Sequence, residues 1–293
     1  MNGASTSILG ILGAIGVALG IALAGSGGDL QIFGMPLLLT CGLFSFFVQW
    51  LAFIPAFMFQ TERYFDLLGS LTYIALAVIA LLYSSQEAGA ILVASMVIVW
   101  ASRLGIFLFG RVMRVGHDRR FVKIKPDFLQ FLMTWTLQGS WVFVTFAAGL
   151  TALTSGKAYP LSGLVGVGCS LWFVGFLIEV VADQQKSIFR KDPNNVDKFI
   201  RHGLWAWSRH PNYFGEILLW TGIAVAALPM LEGWQYVTLI SPVFVIVLLT
   251  KISGVRMLEA RANEKWGREE DYQEYRDKTP TLLLNPLLKG TKA

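Results

Sequence analysis

Long apolar runs, each close to the length of a bilayer crossing, dominate this chain. They cover roughly residues 7–25, 35–58, 66–84, 89–110, 129–153, 161–183, 213–229 and 235–252. A membrane-spanning helix needs ~20 such residues, and helices or closed barrels alone satisfy the backbone inside lipid. Of the 293 residues, 55% are hydrophobic and 15% charged. A water-soluble domain carries about 25% charged residues. The chain therefore reads as an all-α, polytopic membrane helical bundle of seven to eight transmembrane helices. Seven would hold if one segment were re-entrant. No strand pattern and no GxGxxG after a strand is visible, so no Rossmann domain is expected. No long polar linker divides the chain, which suggests a single integral domain. Within it, residues 1–60 supply N-terminal helices and 61–286 a core. The first run lacks a basic leader and reads as a span rather than a signal peptide.

The basic residues give an orientation. Arg63, six Lys or Arg in 111–125, six in 186–209 and nine from Lys251 onward fall in alternate links. Lys157 alone falls in the other set, and Arg103 lies within a span. Positive charge marks the cytoplasmic side. The N-terminus, the long links and the tail are thus expected in the cytoplasm. The positive net charge is topological and points to no nucleic acid. Cys41 and Cys169 sit inside apolar runs and make no disulfide framework. His117, His202 and His210 form no metal-binding spacing.

Several polar groups stand where a membrane makes them costly. Glu179 and Asp183 lie four residues apart and share a helix face, continued by Lys186 and Arg190. They form either an internal ion-pair ladder or part of a ligand site. Arg103 could snorkel to the surface, or pair with Glu62, Asp66 or a phosphate. In Gln60-Thr-Glu62-Arg-Tyr64-Phe-Asp66, the acids could serve the next helix's N-terminal dipole. Alternatively, Glu62 is an acid kept protonated by burial at a cavity. The densest stretch is Ser208-Arg209-His210-Pro211-Asn212-Tyr213-Phe214-Gly215-Glu216, which opens the seventh span. Pro at a first helical position is common, but a cap needs one or two polar residues, not five. Free N–H groups at a helix start attract phosphate.

The candidate cytoplasmic cations include Arg103, Arg111, Arg114, Arg119, Arg120, Lys186, Arg190, Arg209 and Arg256. That number suits a nucleotide with several phosphates better than a single carboxylate. Positive-inside bias would explain most of them equally well. Thr279-Pro280 is expected to stop a tail helix running from about Glu259 to Lys278.

Arg209-His-Pro-Asn-Tyr-Phe-Gly-Glu216, after Gly203-Leu-Trp and before Trp220, resembles a shared signature. It is that of steroid 5α-reductases, sterol Δ14- and Δ7-reductases and isoprenylcysteine carboxyl methyltransferases. Asp271-Tyr-Gln-Glu-Tyr-Arg-Asp-Lys-Thr-Pro280 is similar to their C-terminal end. Trp100-Ala-Ser-Arg-Leu and Gly116-His-Asp-Arg-Arg-Phe121 resemble the bacterial branch related to steroid 5α-reductases. The likeness covers roughly residues 55–286. It implies an NADPH-dependent reductase of a lipid enone, with Asp183, Arg190, Asn212, Glu216 and Arg103 at the cofactor. It also implies that Glu62, with Gln60, handles the substrate ketone. The family's assisting Tyr has no counterpart in Ile91–Gly110, where Trp100 stands near the position. Tyr64 or Tyr73 would substitute, or a protonated Glu62 would act alone.

The expected reaction follows. A 3-oxo-Δ4-steroid or similar enone enters from the membrane lipids. NADPH, its nicotinamide toward Glu62, gives hydride to C5, and a proton then arrives at C4 from water or a Tyr. Glu62 hydrogen-bonds the ketone oxygen as the enolate forms. Arg119, Lys186, Arg209, His210, Tyr213 and Arg256 join the cofactor set. No protein partner is implied. Two alternatives remain: an S-adenosylmethionine-dependent lipid or isoprenylcysteine carboxyl methyltransferase, and a non-catalytic sterol-binding protein.

Overall fold

The computed structural model describes residues 3–27, 30–32, 34–116 and 121–288. Eight segments are long and apolar enough to cross a membrane. Seven are built on helices α1 (Gly3–Gly25), α2 (Leu37–Met58), α3 (Phe65–Tyr83), α4 (Ala88–Val115), α5 (Phe128–Leu153), α6 (Gly163–Lys191) and α8 (Pro211–Ala227). A one-turn helix, α7 (Leu204–Trp207), precedes α8. The protein is an all-α, multi-pass integral membrane protein, with eight candidate spans among the described residues. A two-residue antiparallel ladder was not foreseen from the sequence: β1 (Gln31–Ile32) pairs with β2 (Met35–Pro36).

The eighth span is segmented. A 3₁₀ stretch (Gly233–Leu239), α9 (Ile240–Val247) and a π-turn (Leu248–Ile252) follow one another. After Ser253 and Gly254, α10 (Val255–Trp266) begins, and α11 (Glu270–Lys278) closes the helical part. The single tail helix suggested by the sequence is thus two helices.

Local chemistry sets the ends. Asp127 caps α5, its Oδ1 accepting from Gln130 N at 2.9 Å. Gln60, just past α2, takes a left-handed φ of 49°. α11 ends at Lys278, before Thr279-Pro280, as expected.

The contacts fall into two compact units. The first comprises Met1–Gly166 and Ile223–Ser241. Its centre is α5, whose residues are nearly all buried. Ser45 Oγ on α2 donates to Gly139 O at 3.1 Å, and a Cβ at Gly139 would meet Ser45 O at 3.3 Å. Helices in lipid associate through such small residues and interhelical hydrogen bonds. Gln49 Nε2 donates to Thr72 Oγ1 at 2.9 Å, and Gln138 Nε2 to Phe65 O at 2.8 Å. At one end Phe53, Phe65, Phe121, Phe131 and Trp135 form an aromatic cluster. Phe121 belongs to the link before α5, so this packing folds the link back onto the bundle.

The second unit comprises Val167–Gly222 and Pro242–Ala293. Its α6 and α8 touch backbone to backbone. A Cβ at Gly175 would lie 2.6 Å from Gly215 O, and one at Gly222 would lie 2.5 Å from Gly168 O. The seven-residue spacing on both helices makes a continuous seam. Beyond α11 the chain returns as a strap over the polar motif. Arg209 N donates to Pro280 O at 2.9 Å, Ser208 Oγ to Leu282 O at 2.9 Å, and Asn285 N to Trp207 O at 3.0 Å.

Candidate functional site

In the first unit the candidate group is Glu62, between α2 and α3. Its residue is 4% exposed. Lys125 Nζ donates to Glu62 Oε2 at 2.5 Å. The folded link explains the meeting: Phe121 is anchored among the aromatic rings, and Lys125 N bonds Phe121 O at 3.0 Å. Gln60 is exposed and turns its amide to Phe57 O at 2.8 Å. Tyr64 is 57% exposed and stacks on Phe109 with ring centres 5.9 Å apart. Trp100 is buried with Tyr73 edge-on at 5.1 Å. Arg103, on α4, lies over the Phe107 ring at 5.1 Å. Asp66 faces Arg111 at 3.7 Å. Arg119 lies outside the described residues.

In the second unit the polar motif, the end of α6 and the two tail helices enclose a cavity of about 290 Å³. Its lining includes the cations Lys186, Arg190, Lys198, Arg209, Arg261 and Lys265, with Glu259 as the one carboxylate among the described residues. Aromatic walls come from Phe189, Phe199, Trp205, Trp266, Tyr272 and Tyr275.

Gly203 shapes the entry to α7. It holds φ 62°, and a Cβ there would strike the Gln185 side chain at 2.5 Å. Gln185 Oε1 accepts from Leu204 N at 3.0 Å. Trp205 is thereby set beneath Lys186, whose Nζ stands 4.1 Å from the ring centre. Trp205 Nε1 donates to Ala182 O at 3.0 Å, and Tyr275 hydroxyl donates to Trp205 O at 2.7 Å. Burial pushes the phenols of Tyr272 and Tyr275 up, so both remain hydrogen-bond donors.

Glu259 joins two neighbours of the motif. Arg209 Nη1 donates to Glu259 Oε2, and His210 Nε2 lies 2.7 Å from Glu259 Oε1. Arg209 Nη2 donates to Thr281 Oγ1 at 2.6 Å. Arg209 Nε and His210 Nδ1 are buried with no hydrogen-bond partner among the described residues. With Nε2–H facing Glu259, a neutral His210 keeps an unused lone pair on Nδ1. In that tautomer the Arg209 Nε–H and the His210 Nδ1 lone pair are both unspent among the described residues.

Burial also pushes the His210 imidazole below its ordinary value. Lys186 and Arg209 add to that push, and Glu259 opposes it. The folded protein therefore binds fewer protons here than the unfolded chain. Stability from this group is complete above the unfolded pKa of about 6.5 and is lost as pH falls through the lower folded value. Melting of the detergent-solubilised protein should drop on acidification below about pH 6.5. His210→Gln should flatten that drop, and an unchanged slope would exclude His210 as its source.

The remaining motif residues lie along α6 and α8. Asn212 Nδ2 donates to Asp183 Oδ1 at 3.2 Å. Glu216, Glu179 and Asp183 are all buried. Tyr213 stacks on His210 at 5.6 Å, with the rings 8° from parallel. Arg256 is exposed on the first turn of α10. Of the candidate cofactor residues, Lys186, Arg190, Arg209 and His210 line the cavity. Sequence reasoning missed Lys125, Lys198, Glu259, Arg261, Lys265 and the aromatic walls. One signal was available: Leu258, Arg261, Ala262, Lys265 and Trp266 recur at the spacing of a single helix face.

The model of a family described as "Protein of unknown function (DUF1295)" matches residues 52–279. A bovine (Bos taurus) relative, named 3-oxo-5-alpha-steroid 4-dehydrogenase 1, is 32% identical over 111 residues, covering 37% of this chain and 38% of that protein. The Delta(14)-sterol reductase of Arabidopsis thaliana is 25% identical over 175 residues, covering 56% of this chain and 42% of that one. A Probable O-methyltransferase ustE of Ustilaginoidea virens is 28% identical over 114 residues, covering 34% and 40%. The chain thus spans about two fifths of the length of each of these relatives. No solved structure matches.

Proposed function

Because the chain belongs to the DUF1295 family, which is steroid 5α-reductase-like, we propose that it is a membrane-embedded reductase. On this reading it uses NADPH to reduce the C=C bond of a 3-oxo-Δ4-steroid or related lipid enone. The observation that carries the proposal is the cavity of the second unit, where six cations and a set of aromatic walls surround a single carboxylate. Such a lining suits a molecule with several phosphates and a flat base.

The residues fit that cofactor. A phosphate oxygen would meet the unspent Arg209 Nε–H, and a ribose hydroxyl could donate to His210 Nδ1. Lys186, Arg190, Lys198, Arg261 and Lys265 would share the remaining phosphate charge. Asp183, Asn212, Tyr213 and Glu216 keep the roles that the motif gives them. Arg103, Arg119 and Arg256 belong to the set on charge and resemblance alone. NADPH, when bound, supplies the hydride. The chain's own task is to stabilise the oxygen that gains charge as the β-carbon is reduced. We assign that task to Glu62 with Lys125: the Lys125 N–H group that now meets the carboxylate could turn a hydrogen toward the ketone oxygen. Gln60 and Tyr64 stay in the proposal as neighbours of Glu62 in the chain. The substrate would enter from the bilayer, with the cofactor face, N-terminus and tail cytoplasmic in a bacterial inner membrane.

The methyltransferase likeness supports a second reading, in which S-adenosylmethionine methylates a lipid carboxylate. That cofactor carries no phosphate, so the cations of the cavity speak against it. The test mixes purified protein with NADPH and progesterone or testosterone. Nicotinamide oxidation with a steroid heavier by two hydrogens supports the reductase. Binding of S-adenosylmethionine without NADPH binding would overturn it.

A further inference from the structure

We infer that Glu259 tunes how strongly, and for which phosphate pattern, the cavity binds its nucleotide, by holding Arg209 and His210 until an incoming phosphate takes its place. The inference rests on the nucleotide reading of the same cavity. Glu259 is the one carboxylate on the lining. Its side chain is 21% exposed, against 13% for Arg209 and 6% for His210, so it faces the cavity more openly than the two groups it holds.

Arg209 is not free to grip a ligand in this state. Nη1 donates one hydrogen to Glu259 and Nη2 one to Thr281 Oγ1, while Nε has no partner among the described residues. An Arg binds phosphate best through two parallel N–H bonds. Glu259 occupies one edge of the guanidinium, so a two-pronged grip on that edge requires Glu259 to let go. Both carboxylate oxygens are also spent, Oε2 on Arg209 and Oε1 on His210. Glu259 therefore sits where a ligand's anionic group would sit. A phosphate arriving beside it meets a like charge, and its binding is weakened until the two exchange. The penalty grows with ligand charge. Glu259 thus restrains a ligand with an extra ribose phosphate more in absolute terms, and its removal should favour that ligand most.

The alternative is that Glu259 only positions Arg209 and His210, in which case its loss weakens binding. The two predict opposite signs. The experiment measures binding of NADPH, NADH and inorganic pyrophosphate by calorimetry to full-length wild type, Glu259→Gln and Glu259→Asp. Glu259→Gln keeps the size and removes the charge. It should bind pyrophosphate and NADPH about tenfold or more tighter, with a smaller gain for NADH, as expected for charge-assisted contacts. Glu259→Asp keeps the charge but draws it back by one methylene. It should gain in the same direction and by less, and it decides the matter if the Gln variant does not fold. Unchanged or weaker binding in the folded variants overturns the inference. Because pyrophosphate has no nicotinamide, a gain for it without NADPH binding in any variant would sink the nucleotide reading and keep the role of Glu259. NADPH binding without any gain would do the reverse.

Discussion

Glu62→Gln is expected to lower enone reduction by about 10²-fold or more while leaving NADPH affinity within about twofold, the size of effect seen when one group facing a developing oxyanion is removed. The substitution keeps the volume and one acceptor for Lys125, so folding should lose only about 1–2 kcal/mol. It removes the charge that holds Lys125 in place. Lys125 is 19% exposed on its side chain and can carry its ammonium outward. The double variant Glu62→Gln with Lys125→Met separates the roles. Removing both partners of a buried pair is far milder than removing one. The double variant should therefore melt near wild type and remain inactive. Steroid turnover at wild-type rate in either variant would remove Glu62 from the chemistry. Parallel loss of NADPH binding would instead show that the substitution disturbs more than the substrate end.

Hydropathy made the spans legible because lipid leaves a chain so few choices. The bounds of α2, α3 and α5 fall within a few residues of the apolar runs, and Asp127 and Thr279-Pro280 act at the ends where they stand. The eighth span was less legible. A run of Val, Ile and Leu has the same hydropathy whether it winds as 3₁₀, α or π, and the break comes at Ser253-Gly254. The motif at 208–216 announced a polar site, but not what completes it. Glu259 lies about fifty residues from Arg209 and His210. In the sequence it is one acid in a charged tail, where the ordinary reading is a solvated helix face. Lys125 was similarly hidden among the basic residues of its link, because its meeting with Glu62 depends on Phe121 packing into the aromatic cluster. Ion pairs between distant segments have no periodicity for sequence reading to detect. The burial of Asp183 and Glu216 was better signalled, since carboxylates at the ends of apolar runs have few alternatives.

Gly215→Ala should be among the most damaging single methyls in the second unit. The added Cβ would stand 2.6 Å from Gly175 O and 2.7 Å from Glu179 N. Both are backbone atoms of a helix, so no side chain can swing aside. α6 and α8 would have to part, and overpacking of this kind costs about 1–3 kcal/mol, with backbone contacts at the upper end. Separation also loosens whatever the two helices align. One turn before Gly215, Asn212 reaches Asp183 at 3.2 Å, a length with little slack. The expected result is a lower melting temperature together with NADPH affinity weakened about tenfold, as for loss of a hydrogen bond to a charged group. Gly13→Ala is the control, because a Cβ there has nothing within 4 Å and should be neutral. If Gly215→Ala melts and binds like Gly13→Ala, the close seam is not what holds Asp183 and Asn212 in register. If it melts lower but binds NADPH normally, the seam supports the fold alone, and the Asp183–Asn212 contact drops out of the cofactor site.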